Sequence, residues 1–266
     1  SAEIVIYAAE HGAKAIYAEK AMASSMQESD AMVEAVERNG VAFNLGTNRR
    51  WAPGFDKMKE VIDSGQLGAL KTMTVYQNSR LFNTGSHNFD LFMRINNDHP
   101  ASWVQAHLPD GDDVLDGEIL REDPLGHGMI QFENGVTGYA LITRRDGVFE
   151  VTCERGVITS MPGETGFELS QEGGRDSCGR AKLEPGTFPT FKNGSSTLKL
   201  IEDLVQAVDT GRPTRGGVRM ARANTELIMA FIESHRRGGA RVNLPLRDCK
   251  LKLQRHRAPR QPKYEI

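Results

Sequence analysis

Two short apolar segments that flank one helix-length segment constrain the fold of this chain more than any other feature. Ala15–Ala18 has the composition of a buried parallel strand, and residues 41–45 have the same character. Between them, Ser24 and Ser25 precede a segment whose apolar residues recur at helical spacing and which ends at Asn39-Gly40. The order strand, helix, strand is that of a βαβ unit, so we predict a parallel sheet with a right-handed crossover.

Beyond residue 53 the pattern favours antiparallel sheet with helices around it. Asn134-Gly135 predicts a hairpin with a type I′ turn, because both central residues of that turn need a positive φ. The glycines at 163–166 and 173–174 are interpreted as turns. Helices are predicted over 3–13, 53–65, 85–95, 196–210 and 218–237, and strands over 71–77, 101–108, 128–132, 136–143, 149–153 and 157–160. The predicted fold class is an α/β unit joined to an α+β domain with a large, mainly antiparallel open sheet.

Composition excludes several classes of protein. The 33 Lys and Arg residues nearly balance 35 Asp and Glu residues, which gives no case for a nucleic-acid partner. No apolar run reaches the roughly 18 residues of a membrane span, and no signal peptide is indicated at the start. Cys153, Cys178 and Cys249 are far apart, so neither a disulfide framework nor a metal site is predicted. We expect a soluble, cytoplasmic protein with no membrane partner.

Residues 247–266 form a basic tail. Seven Lys and Arg residues against one Asp fall within 247–263. Such a run is typical of a solvated tail or a subunit contact, and the alternative is an arm for an anionic partner.

Polar residues directly after the two predicted parallel strands are the first candidates for a site, because open α/β sheets bind ligands there. Glu19 and Lys20 follow the first strand, and a lysine in that place can exchange a proton with a substrate hydroxyl. Asn48 and Arg49 follow the second strand and can donate to a polyhydroxylated or carboxylated ligand. The alternatives are a surface Glu-Lys pair and a charged loop that caps the next helix.

A third cluster surrounds His87. On a helix, Asn83 and His87 stand one turn apart on one face, and Asp90 could orient the imidazole or cap backbone groups. Histidine titrates near working pH and suits proton relay. A single histidine is otherwise often a packed, hydrogen-bonded residue, so this interpretation needs companion residues.

Those companions occur in an order that resembles the glucose-fructose oxidoreductase, inositol dehydrogenase and MocA superfamily. The resemblance spans about residues 3 to 246. It is carried by Tyr17-Ala18-Glu19-Lys20-Ala21-Met22-Ala23, Asn48-Arg49-Arg50, Ser64-Gly65-Gln66-Leu67-Gly68 and Thr84-Gly85-Ser86-His87-Asn88-Phe89-Asp90-Leu91, followed by the late segment 216–246.

The resemblance implies an NAD- or NADP-dependent oxidoreductase that acts on a sugar, an inositol or a related polyol by hydride transfer. Lys20 then takes the role of proton transfer and substrate binding, with Glu19 near the cofactor. His87 takes substrate binding and proton relay, and Asn83 substrate binding. It also implies that the open sheet makes homo-oligomer contacts.

Three departures from the family pattern concern this site. Ala21 stands where the family has proline, so the backbone at Lys20 is expected to differ if the matching peptide bond is cis. Asn83 stands where the family has a carboxylate, and it keeps hydrogen bonding without charge. No G-x-G-x-x-G turn opens the chain to hold a pyrophosphate.

The missing turn shapes the expected domain organisation. Residues 1–50 are predicted to be the C-terminal remnant of a Rossmann domain, 51–246 a substrate-binding and oligomerisation domain, and 247–266 the tail. A truncated oxidoreductase is one hypothesis. The alternative is a non-catalytic sugar-binding or assembly module derived from the same family. Either way, the strand at Ala15–Ala18 is predicted to have an uncovered edge that another chain or a rearranged N-terminus covers.

Overall fold

The structure is a computed structural model that describes residues 2–145 and 147–254. Its helices are α1 (Ala2–Glu10), α2 (Met26–Arg38), α3 (Pro53–Asp63), α4 (Ser86–Ile95), α5 (Gly111–Val114), α6 (Ser196–Thr210) and α7 (Val218–Arg236). Its strands are β1 (Ala15–Ala18), β2 (Ala42–Leu45), β3 (Leu70–Gln77), β4 (Ala101–His107), β5 (Leu115–Asp116), β6 (Ile119–Leu120), β7 (His127–Phe132), β8 (Thr137–Ile142), β9 (Val148–Cys153), β10 (Gly156–Ser160), β11 (Phe167–Arg175), β12 (Ala181–Gly186), β13 (Val242–Asn243) and β14 (Lys252–Leu253).

The elements β1, α2 and β2 form the predicted strand–helix–strand unit. β1 and β2 pair in parallel, from Ala15 opposite Ala42 to Ala18 opposite Leu45. α2 begins at Ser25, whose hydroxyl accepts from the Glu28 amide at 3.2 Å, so a serine cap sets the start of the helix as expected. The parallel pair and its connecting helix are therefore confirmed.

The prediction that Ala15–Ala18 is a buried strand is wrong within this chain. Only Ala18 is buried, Tyr17 is 40 % exposed, and β2 is the partner of β1 among the described strands. On α1, which packs beside this sheet, Ile4 is 75 % and Tyr7 is 64 % exposed. The described residues therefore leave part of the apolar surface of this strand uncovered. That another segment covers it stays a prediction.

The second sheet has nine strands in the order β12-β11-β10-β9-β3-β8-β7-β4-β13. Its neighbours are antiparallel except for β3 and β8, so the predicted large and mainly antiparallel sheet is confirmed. Alternation along β8 turns Gly138 and Ala140 to a buried face, where Phe92 of α4 lies against Gly138. Tyr139 and Leu141 point to the opposite face and stay partly exposed. One face of the sheet is thus covered by helices and the other is open.

The sheet extends further than the sequence pattern predicts. No strand is predicted from the sequence at β11 or β12, and the glycines at 173–174, interpreted as a turn, lie within β11. A register shift between Glu172 and Gly174 interrupts the pairing of these two strands. Residues 181–185 of β12 are exposed, so this strand lacks the alternation of apolar and polar residues by which a half-buried strand is recognised.

The predicted hairpin at Asn134-Gly135 is present, but its turn differs. Gly135 has φ 87°, whereas Asn134 is not among the residues with positive φ. The Gly135 amide donates to the Phe132 carbonyl at 3.1 Å, and the Phe132 amide donates to the Val136 carbonyl at 2.9 Å. A three-residue loop with one left-handed glycine replaces the expected type I′ turn.

The first part of the predicted basic tail packs against the body of the protein. Leu251 is fully buried, and β14 pairs in parallel with β6. The Leu253 amide donates to the Ser24 carbonyl at 2.8 Å, which brings the segment beside the start of α2. Residues 255–266 of the predicted tail lie outside the described residues. Within the described ranges, no helix is both long and apolar enough to cross a bilayer.

Candidate functional site

The carboxyl ends of β1 and β2 meet at one edge of the small parallel sheet. Because Ala18 is opposite Leu45, the segment that starts at Glu19 emerges beside the segment that starts at Gly46. The adjoining 3-10 turn, Asn48–Trp51, leads into α3. The two candidate clusters after the strands therefore begin side by side, as the parallel unit predicts.

Lys20 reaches across to the third cluster. Its ammonium donates to the side-chain oxygen of Asn83, which lies 63 residues further along the chain in the π-helical turn Leu81–Gly85. Lys20 and Asn83 lie at a cavity of about 320 Å³ that is also lined by Ala21, Ala23, Ser24, Phe82 and Leu253. The peptide bond between Lys20 and Ala21 is cis.

His87 lies in the first turn of α4, where the positive charges of Arg49 and Lys20 act on it. Burial, reinforced by these two cations, lowers the pKa of His87 to about 4. Its ring nitrogen Nδ1 is buried and has no hydrogen-bond partner in the described part of the chain. At neutral pH the imidazole is therefore uncharged and can still bond a ligand hydroxyl, and its unpartnered nitrogen is unusual for a buried polar atom.

A chain of buried amides holds Arg49. Its guanidinium donates to the Asn88 oxygen, the Asn88 amide donates to the Gln77 oxygen at 2.7 Å, and the Gln77 amide donates to the Gly126 carbonyl at 3.2 Å. Asn88 and Gln77 are buried. This network joins α4 to β3 and restricts the Arg49 guanidinium.

Glu164 is a member of the site that the sequence pattern missed. It belongs to the 3-10 turn Pro162–Glu164, which was expected only as a turn, and it adopts a left-handed conformation with φ 59°. Burial raises the pKa of its carboxyl, and Arg49 counteracts that rise. The turn between β10 and β11 thus places the Glu164 carboxyl where the charge of Arg49 acts on it. No local signal in the sequence indicates this placement.

Asp90 does not orient His87, so that expectation is wrong. Its carboxylate, on α4, accepts from Arg50 Nε and Nη2 at 3.0 and 2.9 Å in a fully buried pair. Asn48 donates to the Thr197 hydroxyl at 3.4 Å, toward α6, and Glu19 is exposed and accepts from the Tyr17 hydroxyl at 2.9 Å. The structure thus joins Lys20 to Asn83 at one cavity and puts His87 under the charges of Lys20 and Arg49, while the observed bonds of Asn48 and Glu19 go to other neighbours.

The described residues suit the reacting end of a dinucleotide cofactor but not its pyrophosphate. Lys20 and the uncharged His87 are suited to the reacting carbon and hydroxyl. In contrast, residues 2–145 and 147–254 contain no glycine-rich turn from a buried strand into a helix that could hold a pyrophosphate. In the same ranges, no three His, Cys, Asp or Glu side chains are grouped to hold a metal ion.

Comparison with known proteins supports this assignment of the fold. No family model matches the chain. Over 66 residues the chain is 39 % identical to scyllo-inositol 2-dehydrogenase (NAD(+)) of Bacillus subtilis, and the match spans 25 % of this chain and 19 % of that relative. Levoglucosan dehydrogenase in complex with NADH and L-sorbose superposes with a TM-score of 0.71 at 22 % identity, covering 92 % of this chain and 76 % of that one. Aldose-aldose oxidoreductase from Caulobacter crescentus complexed with glycerol gives 0.70 at 19 % identity, covering 91 % and 75 %.

The protein matched locally in sequence and the proteins matched in structure are all oxidoreductases by name. The curated relative is an inositol dehydrogenase, and the two solved structures are sugar oxidoreductases by name. The chain shares the fold of these two solved oxidoreductases, and its local match to an inositol dehydrogenase agrees with the resemblance that the motifs indicate.

Proposed function

We propose that this chain is the substrate-binding and reacting part of an NAD- or NADP-dependent oxidoreductase that acts on a hydroxyl of a sugar, an inositol or a related polyol. The observation that carries the proposal is the convergence of Lys20, Asn83 and His87. Lys20 follows β1, whereas Asn83 lies 63 residues later in the π-helical turn and His87 in α4, yet Lys20 bonds Asn83 and its charge acts on His87. An ammonium, an amide and a neutral imidazole together form a donor and acceptor set that suits a polyhydroxylated ligand.

In this proposal the substrate hydroxyl lies between Lys20 and His87. Lys20 stabilises negative charge on the oxygen and exchanges its proton, and the neutral His87 orients the hydroxyl by a hydrogen bond. A bound nicotinamide would supply the hydride chemistry at the carbon that carries this hydroxyl. Because the pKa of His87 is about 4, its part near neutral pH is that of a hydrogen-bonding group rather than a base that becomes charged.

Arg49 and Glu164 extend the site on the other side of His87. The Asn88 and Gln77 amides restrict Arg49, so its guanidinium is positioned before a ligand arrives. Glu164 adds an acceptor for further hydroxyls near that guanidinium. We propose that this pair selects the pattern of hydroxyls remote from the reacting one.

We also propose that the nucleotide-binding unit is partial within this chain. The support is the two-stranded parallel sheet, the exposed edge of β1 and the lack of a pyrophosphate-binding turn among the described residues. A homo-oligomer through the open face of the large sheet belongs to the same proposal. That face holds a cavity of about 830 Å³ lined in part by Met129, Tyr139 and Leu141.

Titration of the purified chain with NADH and with NADPH, followed by nucleotide fluorescence, tests the cofactor. Micromolar binding is expected if the chain completes a site, alone or as an oligomer. Silence up to millimolar nucleotide would instead favour a non-catalytic sugar-binding or assembly module. Light scattering during size-exclusion chromatography gives the oligomeric state of the same sample.

Turnover is tested with scyllo-inositol, levoglucosan and L-sorbose as probes, each with both oxidised and reduced nucleotides. Lys20→Ala is expected to lower kcat by orders of magnitude, whereas the exposed Lys14→Ala, a matched loss of one ammonium, leaves it unchanged. His87→Ala is expected to raise KM for the probe more than Kd for the nucleotide. An unchanged rate in Lys20→Ala would remove Lys20 from the mechanism.

A further inference from the structure

Asp123 holds the turn that carries Asn83. Its two carboxylate oxygens accept from the backbone amides of Phe82 and Asn83, each at 2.9 Å. These amides lie in the π-helical turn Leu81–Gly85, and the side chain of Asn83 in turn accepts from Lys20. One carboxylate, 40 residues away in sequence from Asn83, therefore sets the position of the group that contacts the ammonium.

Asp123 also interacts with the charge of Lys20. Burial raises the pKa of Asp123. The two backbone hydrogen bonds, together with the positive charges of Arg80 and Lys20, counteract that rise. Arg80 donates to the backbone carbonyl of Asp123 and pairs with the carboxylate of Asp110 at 3.1 Å. Because Arg80 also pairs with Asp110, its positive charge is shared between two carboxylates and does not by itself neutralise Asp123.

We propose that Asp123 is a positioning residue of the candidate site, which supplies beside Lys20 the negative charge that Asn83 lacks and fixes Asn83 through its backbone. This inference rests on the proposed function for its role in turnover. The charge of Asp123 and its backbone hydrogen bonds can be tested without the proposed function. The carboxylate acts on Lys20 from the loop after β6, and no covalent step involves it.

Other charged or titratable groups also surround Lys20. Glu19 precedes it and accepts from the Tyr17 hydroxyl. His87 of α4 has a pKa lowered to about 4 by burial and by the charges of Arg49 and Lys20. Near neutral pH, His87 is uncharged, so changing Asp123 alters the local charge by one unit without changing that of the imidazole.

The test measures how fast the amine of Lys20 reacts with acetic anhydride in the full chain, at fixed mildly alkaline pH, with peptide mass spectrometry as the readout. Asp123→Asn keeps one oxygen acceptor but removes the carboxylate charge that attracts Lys20, so the Lys20 side chain is held less firmly and acetylation should be about threefold faster. Asn83→Asp in that background returns a carboxylate to the Lys20 contact and should restore the original rate. Asp110→Asn is the matched control, since Asp110 bonds the same guanidinium and the Leu125 amide and should leave the rate unchanged.

The outcomes separate charge from a merely structural role. An unchanged rate in Asp123→Asn, or an equal increase in Asp110→Asn, overturns the inference. So does an increase that Asn83→Asp fails to reverse, because that result assigns Asp123 to holding the turn alone.

Activity provides a second and separate measurement. With a probe that the chain turns over, Asp123→Asn should lower kcat more than it raises KM, and Asn83→Asp should restore kcat. If the wild type turns over none of the probes, the proposed function fails, whereas the acetylation rates still decide the role of Asp123.

Discussion

The pair formed by Arg50 and Asp90 predicts a large loss of stability when one partner is removed. The Arg50 side chain is 0 % exposed and that of Asp90 is 4 % exposed. Burial alone would lower the pKa of Arg50, but Asp90 and Asp98 outweigh it, and the pKa stands above its ordinary value. The pair connects the turn after β2 to α4, which carries His87.

Asp90→Ala leaves a buried guanidinium short of one partner. Removing one member of a buried pair costs about 3–5 kcal/mol. Here Asp98, whose side chain is 31 % exposed, still bonds Arg50 Nη1 at 2.8 Å and keeps part of the compensation. The expected decrease in the free energy of unfolding is therefore near the lower end, about 3 kcal/mol.

Urea unfolding, followed by circular dichroism and tryptophan fluorescence with linear extrapolation, measures this decrease. Glu34→Ala is the control, because it removes an ion pair with Arg38 in which the side chains are 74 % and 56 % exposed and should cost no more than about 1 kcal/mol. Replacing both buried partners, as Arg50→Met with Asp90→Leu, leaves neither Arg50 nor Asp90 as an unpaired charge and should recover much of the loss. An Asp90→Ala cost no larger than that of the control would refute the reasoning.

Three further predictions concern separate features. The pKa of His87 is about 4 in the folded chain against 6.5 for the free side chain, so its stabilising contribution is complete above pH 6.5 and is lost as the pH falls toward 4. Urea unfolding at a series of pH values should show the free energy of unfolding decrease by up to about 3 kcal/mol over this range, a decrease that His87→Gln lacks. Gly128→Ala would place a Cβ 2.3 Å from the backbone oxygen of Gln105, so a fall of several degrees in the melting temperature is expected, and an unchanged melting curve would contradict the packing. Cys178 is exposed whereas burial raises the pKa of Cys153 to about 11, so iodoacetamide at neutral pH should label the first and spare the second in the native chain, as mass spectrometry of the peptides would show.

Local pattern accounts for much of the secondary structure. The helical spacing between Ser25 and Arg38, the apolar runs on either side of it and the alternation along β7 and β8 each depend on neighbours within a few residues. Such signals predicted the parallel unit and the antiparallel sheet. They failed at β12, because an exposed strand has no buried face to impose alternation.

The candidate site likewise contains residues that the sequence indicated and residues that only the fold brings to it. Lys20 and His87 were found through short motifs, which place each residue on its own element. Asp123 and Glu164 carry no such motif, and they reach the site because the loop after β6 and the turn after β10 fold back toward it. Asp90 was assigned to the wrong partner, since spacing along a helix shows which residues share a face but not which buried cation lies opposite.

The amino-acid sequence alone therefore determined most of the helices and strands, because these follow from short-range periodicity, and its motifs indicated two central side chains of the candidate site. Only the tertiary structure decided which charges face one another and how strongly burial shifts their proton affinity. Those energies depend on distance and exposure in space, and residues that are 40 or 63 positions apart in the chain acquire both only when the sheets and helices pack.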